Sequence, residues 1–142
     1  MNEKLMEINK LIKNLEKDNY KLIKKSLEKF LKDNVSQNEI NDFDGDYPTI
    51  IEPVYVGKNV VIRDDVLLGP NVYIGENCEI GEYSELSNTI LMDNVKIGSI
   101  IKLDNCIVAE DSELDITNLS LKNCILMGNS TKKEEITKIS FD

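Results

Sequence analysis

Histidine and tryptophan are both absent from these 142 residues, and arginine occurs once, at Arg63. Histidine is the side chain whose ordinary pKa lies nearest neutrality and the commonest zinc ligand. Its absence removes the usual general base, whose loss typically costs about 10²–10⁴-fold in rate, and the usual catalytic zinc site. Cysteine is scarce too: Cys78, Cys106 and Cys124 make an odd number. They are expected as small buried apolar groups in a reducing compartment. No apolar run is long enough to span a bilayer, and no signal-peptide pattern is present. No glycine belongs to a G-x-G-x-x-G or G-x-x-x-x-G-K-[ST] phosphate loop. Positive charge is in deficit, at a formal -9. Residues 1–33 hold nine Lys against six acids, whereas the remainder holds eight basic and twenty acidic residues. Nucleic acid and anionic membrane are therefore not expected partners.

What is present is a repeat. VYVGKNVVI from Val54, VYIGENCEI from Val72, TILMDNVKI from Thr89, CIVAEDSEL from Cys106 and CILMGNS from Cys124 stack with start-to-start spacings of 18, 17, 17 and 18. Such a period predicts a parallel β-helix with three short strands to a coil. Three inward ladders follow. Val56, Ile74, Leu91, Val108 and Leu126 form the first; Ile62, Ile80, Ile97 and Leu114 the second; Leu68, Leu86, Leu103 and Leu121 the third. Smaller residues fill the inward slot two places earlier, including all three cysteines. Gly57, Gly69, Gly75, Gly81 and Gly98 each directly follow an inward aliphatic, and Gly128 lies two places after Leu126. They are expected at corners, for unusual φ values and close coil contact.

The rest divides around this prism. Residues 1–34 read as a helix or helix pair, with Leu5, Ile8, Ile12 and Leu15 on one face and Tyr20, Ile23, Leu27 and Phe30 on a displaced one. The break is placed at Asp18-Asn19, two residues that favour caps. Residues 35–49 read as a polar linker, 50–130 as the β-helix, and 131–142 as a charged tail or cap. Asp42, Asp44 and Asp46 alternate like the start of a calcium loop. Yet Gly45 comes two places early and the twelfth position is Pro53, so a solvated loop is expected, with no metal and no cofactor.

One outward column stands apart. Tyr55, Tyr73, Ile90, Ile107 and Ile125, with Met92 and Met127 alongside, make an apolar stripe the full height of the prism, where the other faces carry Glu and Lys. A stripe of that length needs cover. Two covers are open: another subunit, which is the preferred expectation, or the chain's own N-terminal helices. A fifteen-residue helix, at about 22 Å, matches five coils stacked about 4.8 Å apart. Arg63, Asp64, Asp65, Glu76 and Glu82 cluster near corners, but outward carboxylates on a wet face lack the cleft that perturbs catalytic carboxyls. No catalytic residue is assigned.

EPVYVGKNVVI, LLGPNVYIGENCEIG and NTILMDNVKI resemble the C-terminal left-handed β-helix of sugar-1-phosphate nucleotidyltransferases, the glucose-1-phosphate thymidylyltransferase type in particular. MEINKLIKNL is similar to the short helix preceding that β-helix. The resemblance covers roughly residues 6–128 and implies left-handed winding. It also implies a homo-oligomer, a trimer by analogy, in the cytoplasm, and as possible partner a separately encoded nucleotidyltransferase catalytic subunit. The nucleotide-binding signature of that family is not found in these residues. The expected function is thus a non-catalytic oligomerisation or regulatory module. The alternative is a degenerate transferase that binds a nucleotide-sugar or acyl donor in a groove between protomers.

Overall fold

The computed structural model describes residues 3–16 and 19–141. Helices α1 (Glu3–Lys13) and α2 (Asn19–Asn34) precede a left-handed parallel β-solenoid of about five turns. Of the expected break, Asp18 lies outside the described residues, and α2 opens at Asn19. The first turn holds β1 (Glu39–Ile40), β2 (Phe43–Gly45) and β3 (Thr49–Ile50). Above it come β4 (Val54–Val56), β5 (Val60–Ile62) and β6 (Leu67–Leu68), then β7 (Val72–Ile74), β8 (Glu79–Ile80) and β9 (Glu85–Ser87). Next are β10 (Thr89–Leu91), β11 (Lys96–Ile97), β12 (Ile101–Val108) and β13 (Glu113–Leu114), with β12 bending round a corner to serve two faces. β14 (Leu119–Met127), β15 (Asn129–Ser130) and β16 (Thr137–Ser140) complete the stack.

The strand registers reproduce the three ladders. Val56 pairs with Ile74, Ile74 with Leu91, Leu91 with Val108 and Val108 with Leu126. Ile62, Ile80, Ile97 and Leu114 stack on the second face. Leu68, Leu86, Leu103 and Leu121 do so on the third. Each aliphatic taken from water contributes about 1.5–3 kcal/mol, and all of these are buried except Leu121, which is half-buried at the upper end. Where a coil is one residue short, a buried hydroxyl satisfies the backbone. Ser84 Oγ donates to the Gly98 carbonyl at 3.2 Å and accepts from the Ile101 amide at 3.2 Å.

Residues 35–49 are not a linker but the beginning of the solenoid. β1, β2 and β3 pair in parallel with β4, β5 and β6. Its polar residues replace the bonds a lower coil would make: Asn38 Oδ1 accepts from the Val54 amide at 2.8 Å, and Asn41 Nδ2 donates to the Val56 carbonyl at 2.8 Å. At the other end β16 runs antiparallel to β14 and closes its edge, so the tail acts as a cap.

The corners correct the expectation for glycine. Of the six corner glycines only Gly69 and Gly128 have positive φ. At Gly81 an added Cβ would overlap the Gly98 carbonyl, and at Gly98 the Ile116 carbonyl, so close approach is what demands glycine there. The left-handed conformation falls instead on Asn59, Asp65, Asn71, Asn77, Asn88, Asn94, Asn105, Asp111, Asn118 and Asn123, with φ between 48° and 67°. Asn and Asp are the non-glycine residues that tolerate it best. Their side chains also bond up the stack: Asn59 to Asn77 at 2.6 Å, Asn77 to Asn94 at 3.2 Å, and Asn94 to Asp111 at 2.9 Å.

Two residues break this pattern: Tyr83 (φ 59°) and Ile100 (φ 57°). A β-branched residue there is strained by about 1–2 kcal/mol. Ile100→Asn is therefore expected to stabilise the fold by about 1 kcal/mol, read as a rise in the thermal midpoint.

Candidate interaction surface

The apolar stripe lies on the face built from β4, β7, β10 and the second halves of β12 and β14. The registers align Tyr55, Tyr73, Ile90, Ile107 and Ile125 in one outward column. Although these side chains point away from the prism axis, Ile90, Met92, Ile107 and Ile125 have no exposed surface. The chain's own helices cover them. The apolar faces of α1 (Leu5, Ile8, Ile12) and α2 (Ile23, Leu27, Phe30, Leu31) join the prism core in one cluster. Phe30 meets the Tyr73 ring edge-on at 5.1 Å, and Tyr73 stacks on Tyr55 at 4.6 Å with the rings 7° apart. Asn9 Nδ2 of α1 donates to Glu110 Oε2 at 2.9 Å across 101 residues of sequence.

Contrary to the preferred expectation, then, Ile90, Met92, Ile107 and Ile125 are not an open subunit surface. Tyr55, Tyr73 and Met127 are half-buried at the margins of the same cluster. The physical reason is the amphipathic pattern of the helices. Their apolar faces need burial as much as the stripe does, and the connection through residues 35–38 is short enough to lay one on the other. Burial pushes the phenols of Tyr73 and Tyr55 upward, with the neighbouring carboxylates adding to it.

Two grooves flank the helices. One, about 680 Å³, lies between α2 and a prism corner and is lined by Lys24, Glu28, Lys32, Asn71, Asn88 and Asp104 among others. The second, about 370 Å³, runs between α1 and α2 over Ile8, Leu11, Leu22 and Phe30, with Lys4, Glu7 and Lys29 on its rim.

The carboxylates singled out from the sequence do not converge. Arg63 pairs with Glu79 on an exposed face. Asp46, from the calcium-like run, hydrogen-bonds the Asp64 carboxyl, and that bond and the Asp64 charge raise its pKa. Asp93 Oδ1 accepts from the Glu76 amide at 2.9 Å, a corner bond between turns. Cys106 Sγ and Cys124 Sγ lie 3.7 Å apart in the inward column, too far for a disulfide bond. The Cys124 contact and burial push Cys106 far up, and burial pushes Cys78 up to about 12. With so little thiolate on Cys78 and Cys106, and with Cys124 buried against Cys106, none of the three is expected to react with a disulfide reagent at pH 8 in the native protein, and all three after denaturation. Native release of a thiol at the unfolded rate would contradict this.

The fold defines a left-handed β-helix protein whose solenoid carries a helical lid. The family model of the GMPPB C-terminal domain matches residues 50–139. The chain belongs to that family, the β-helix domain of sugar-1-phosphate nucleotidyltransferases. No curated protein matches the sequence.

Proposed function

We propose that the chain is a non-catalytic β-helix module that oligomerises or regulates in sugar-nucleotide metabolism. The observation that carries this is the match of the solenoid to the C-terminal domain of a nucleotidyltransferase family, in a sequence without histidine. The nucleotidyl transfer itself belongs to a nucleotide-binding unit outside these 142 residues, with a separate catalytic subunit as partner. Family resemblance implies three copies, working in the cytoplasm. Light scattering behind size exclusion reads the stoichiometry, and pull-down with a nucleotidyltransferase catalytic subunit reads the partner. Turnover of a sugar-1-phosphate with a nucleoside triphosphate by the pure chain would refute the proposal.

A second reading is supported by the 680 Å³ groove beside α2, whose two lysines, two carboxylates and carboxamides suit a polar ligand. In that reading the chain is a degenerate transferase holding a nucleotide-sugar. Saturable binding of one by calorimetry, lost in Lys24→Ala/Lys32→Ala, would favour it.

A further inference from the structure

The two residues that break the corner pattern share one corner. Tyr83 donates its amide to the Asp64 carbonyl, and Ile100 donates its own to the Glu82 carbonyl, so they occupy successive turns of the edge between the second and third faces. Both are in the left-handed region, where ten other corner positions use Asn or Asp. Both are also open to solvent, Tyr83 by 55% and Ile100 by 36%, and Tyr47 in the same corner below is 72% exposed. The backbone is strained at both positions and large apolar surface is left wet. Strain of this kind persists where the side chain serves something else. The result is a convex apolar ridge flanked by Asp64, Asp65, Glu82 and Asp115, with Arg63 the opposing charge.

The surface complementary to such a ridge is on the same chain. The groove between α1 and α2 is concave, with an apolar floor of Ile8, Leu11 and Phe30 and with Leu22 49% exposed at its side. Lys4, which pairs with Asp33 at 3.1 Å, and Lys29 stand on its rim with the single carboxylate of Glu7. It belongs to the segment where lysines outnumber acids nine to six, whereas the ridge belongs to the acidic prism. The ridge is the corner opposite the helix-covered face. One copy can therefore give its ridge and accept a neighbour's at the same time.

We propose that the Tyr83–Ile100 ridge docks into the α1–α2 groove of a second copy of this chain. The proposal rests on the oligomerisation reading and names the surfaces that meet. Ridge and groove are different surfaces, so the contact is heterologous: it closes into a ring if the rotation allows and propagates otherwise. Opposite charge on the two sides makes it weaken as salt rises.

The test is sedimentation velocity of the full chain across a concentration series. Wild type is expected to form species larger than a monomer. The ridge variant Tyr83→Asn/Ile100→Asn loses apolar surface and backbone strain together. It is expected to melt at least as high as wild type while associating about tenfold or more weakly. The groove variant Leu22→Glu changes an exposed helix position and is expected to give the same loss of association. Mixing the two variants leaves one intact ridge and one intact groove, so 1:1 pairs are expected and nothing larger. Oligomers that survive both substitutions place the contact elsewhere and overturn this inference, while the oligomerisation reading stands. No pairing in the mixture, with each variant folded, also overturns it. Wild type that stays monomeric at every concentration overturns the inference and the self-association reading together.

Discussion

Ile107→Asp is expected to destabilise the protein by more than about 4 kcal/mol and to release the helical lid. Ile107 is fully buried between Ile90 and Ile125 in the outward column, beneath α1 and α2. Removing a buried Ile side chain alone costs about 2–5 kcal/mol. The carboxylate that replaces it would have to stay charged in an apolar layer or fold as the neutral acid, and either adds to the loss. The solenoid ladder beneath does not include this side chain. Limited proteolysis should therefore cut within residues 3–34 before the prism, and chemical denaturation should show a lowered midpoint. A variant that kept the lid protected and formed monomers of wild-type stability would show that another subunit, not the helices, covers the stripe.

Gly81→Ala and Gly98→Ala are the second pair with a large expected effect. At both positions a Cβ would overlap a backbone carbonyl of the next turn, and backbone gives way far less readily than the end of a side chain. Adjacent turns would have to separate along the whole corner, so a cost of about 3 kcal/mol or more is expected. Gly128 is the control. It has φ +86° but nothing within 4 Å of an added Cβ, so Gly128→Ala should cost only the conformational strain, about 1–2 kcal/mol. Losses at Gly81 and Gly98 no larger than at Gly128 in thermal melts would mean that the turns relax around an added Cβ, and that coil contact is not what selects glycine there.

Much of the fold was legible because a solenoid repeats its local chemistry. An inward slot must be aliphatic in every turn, so Val56 through Leu126 could be aligned before any coordinate was known. The first turn was not legible. Its strands sit at an open end where Ile40, Phe43 and Ile50 are half-buried, and side-chain amides of Asn38 and Asn41 do what a lower strand would do. The burial that makes a pattern conspicuous is diluted there. The corner asparagines were legible in principle, since Asn59, Asn71, Asn77, Asn88, Asn94, Asn105 and Asn123 each directly precede a small inward residue. Glycine draws the expectation of positive φ away from them, since it alone adopts that conformation at no steric cost.

The sequence by itself determined the turn of the solenoid, the contents of its interior and the absence of imidazole. Each of these is set by residues within one or two coil lengths of each other. Only the tertiary structure decided what covers the apolar face, because that contact joins α1 to a turn about a hundred residues later, as Asn9 does with Glu110. An outward apolar column states that water must be excluded; it does not state by what. The helices were nearest and carried matching apolar faces, so they took it. The left-handed strain at Tyr83 and Ile100 likewise arises from where the chain turns the corner, which spacing alone does not reveal.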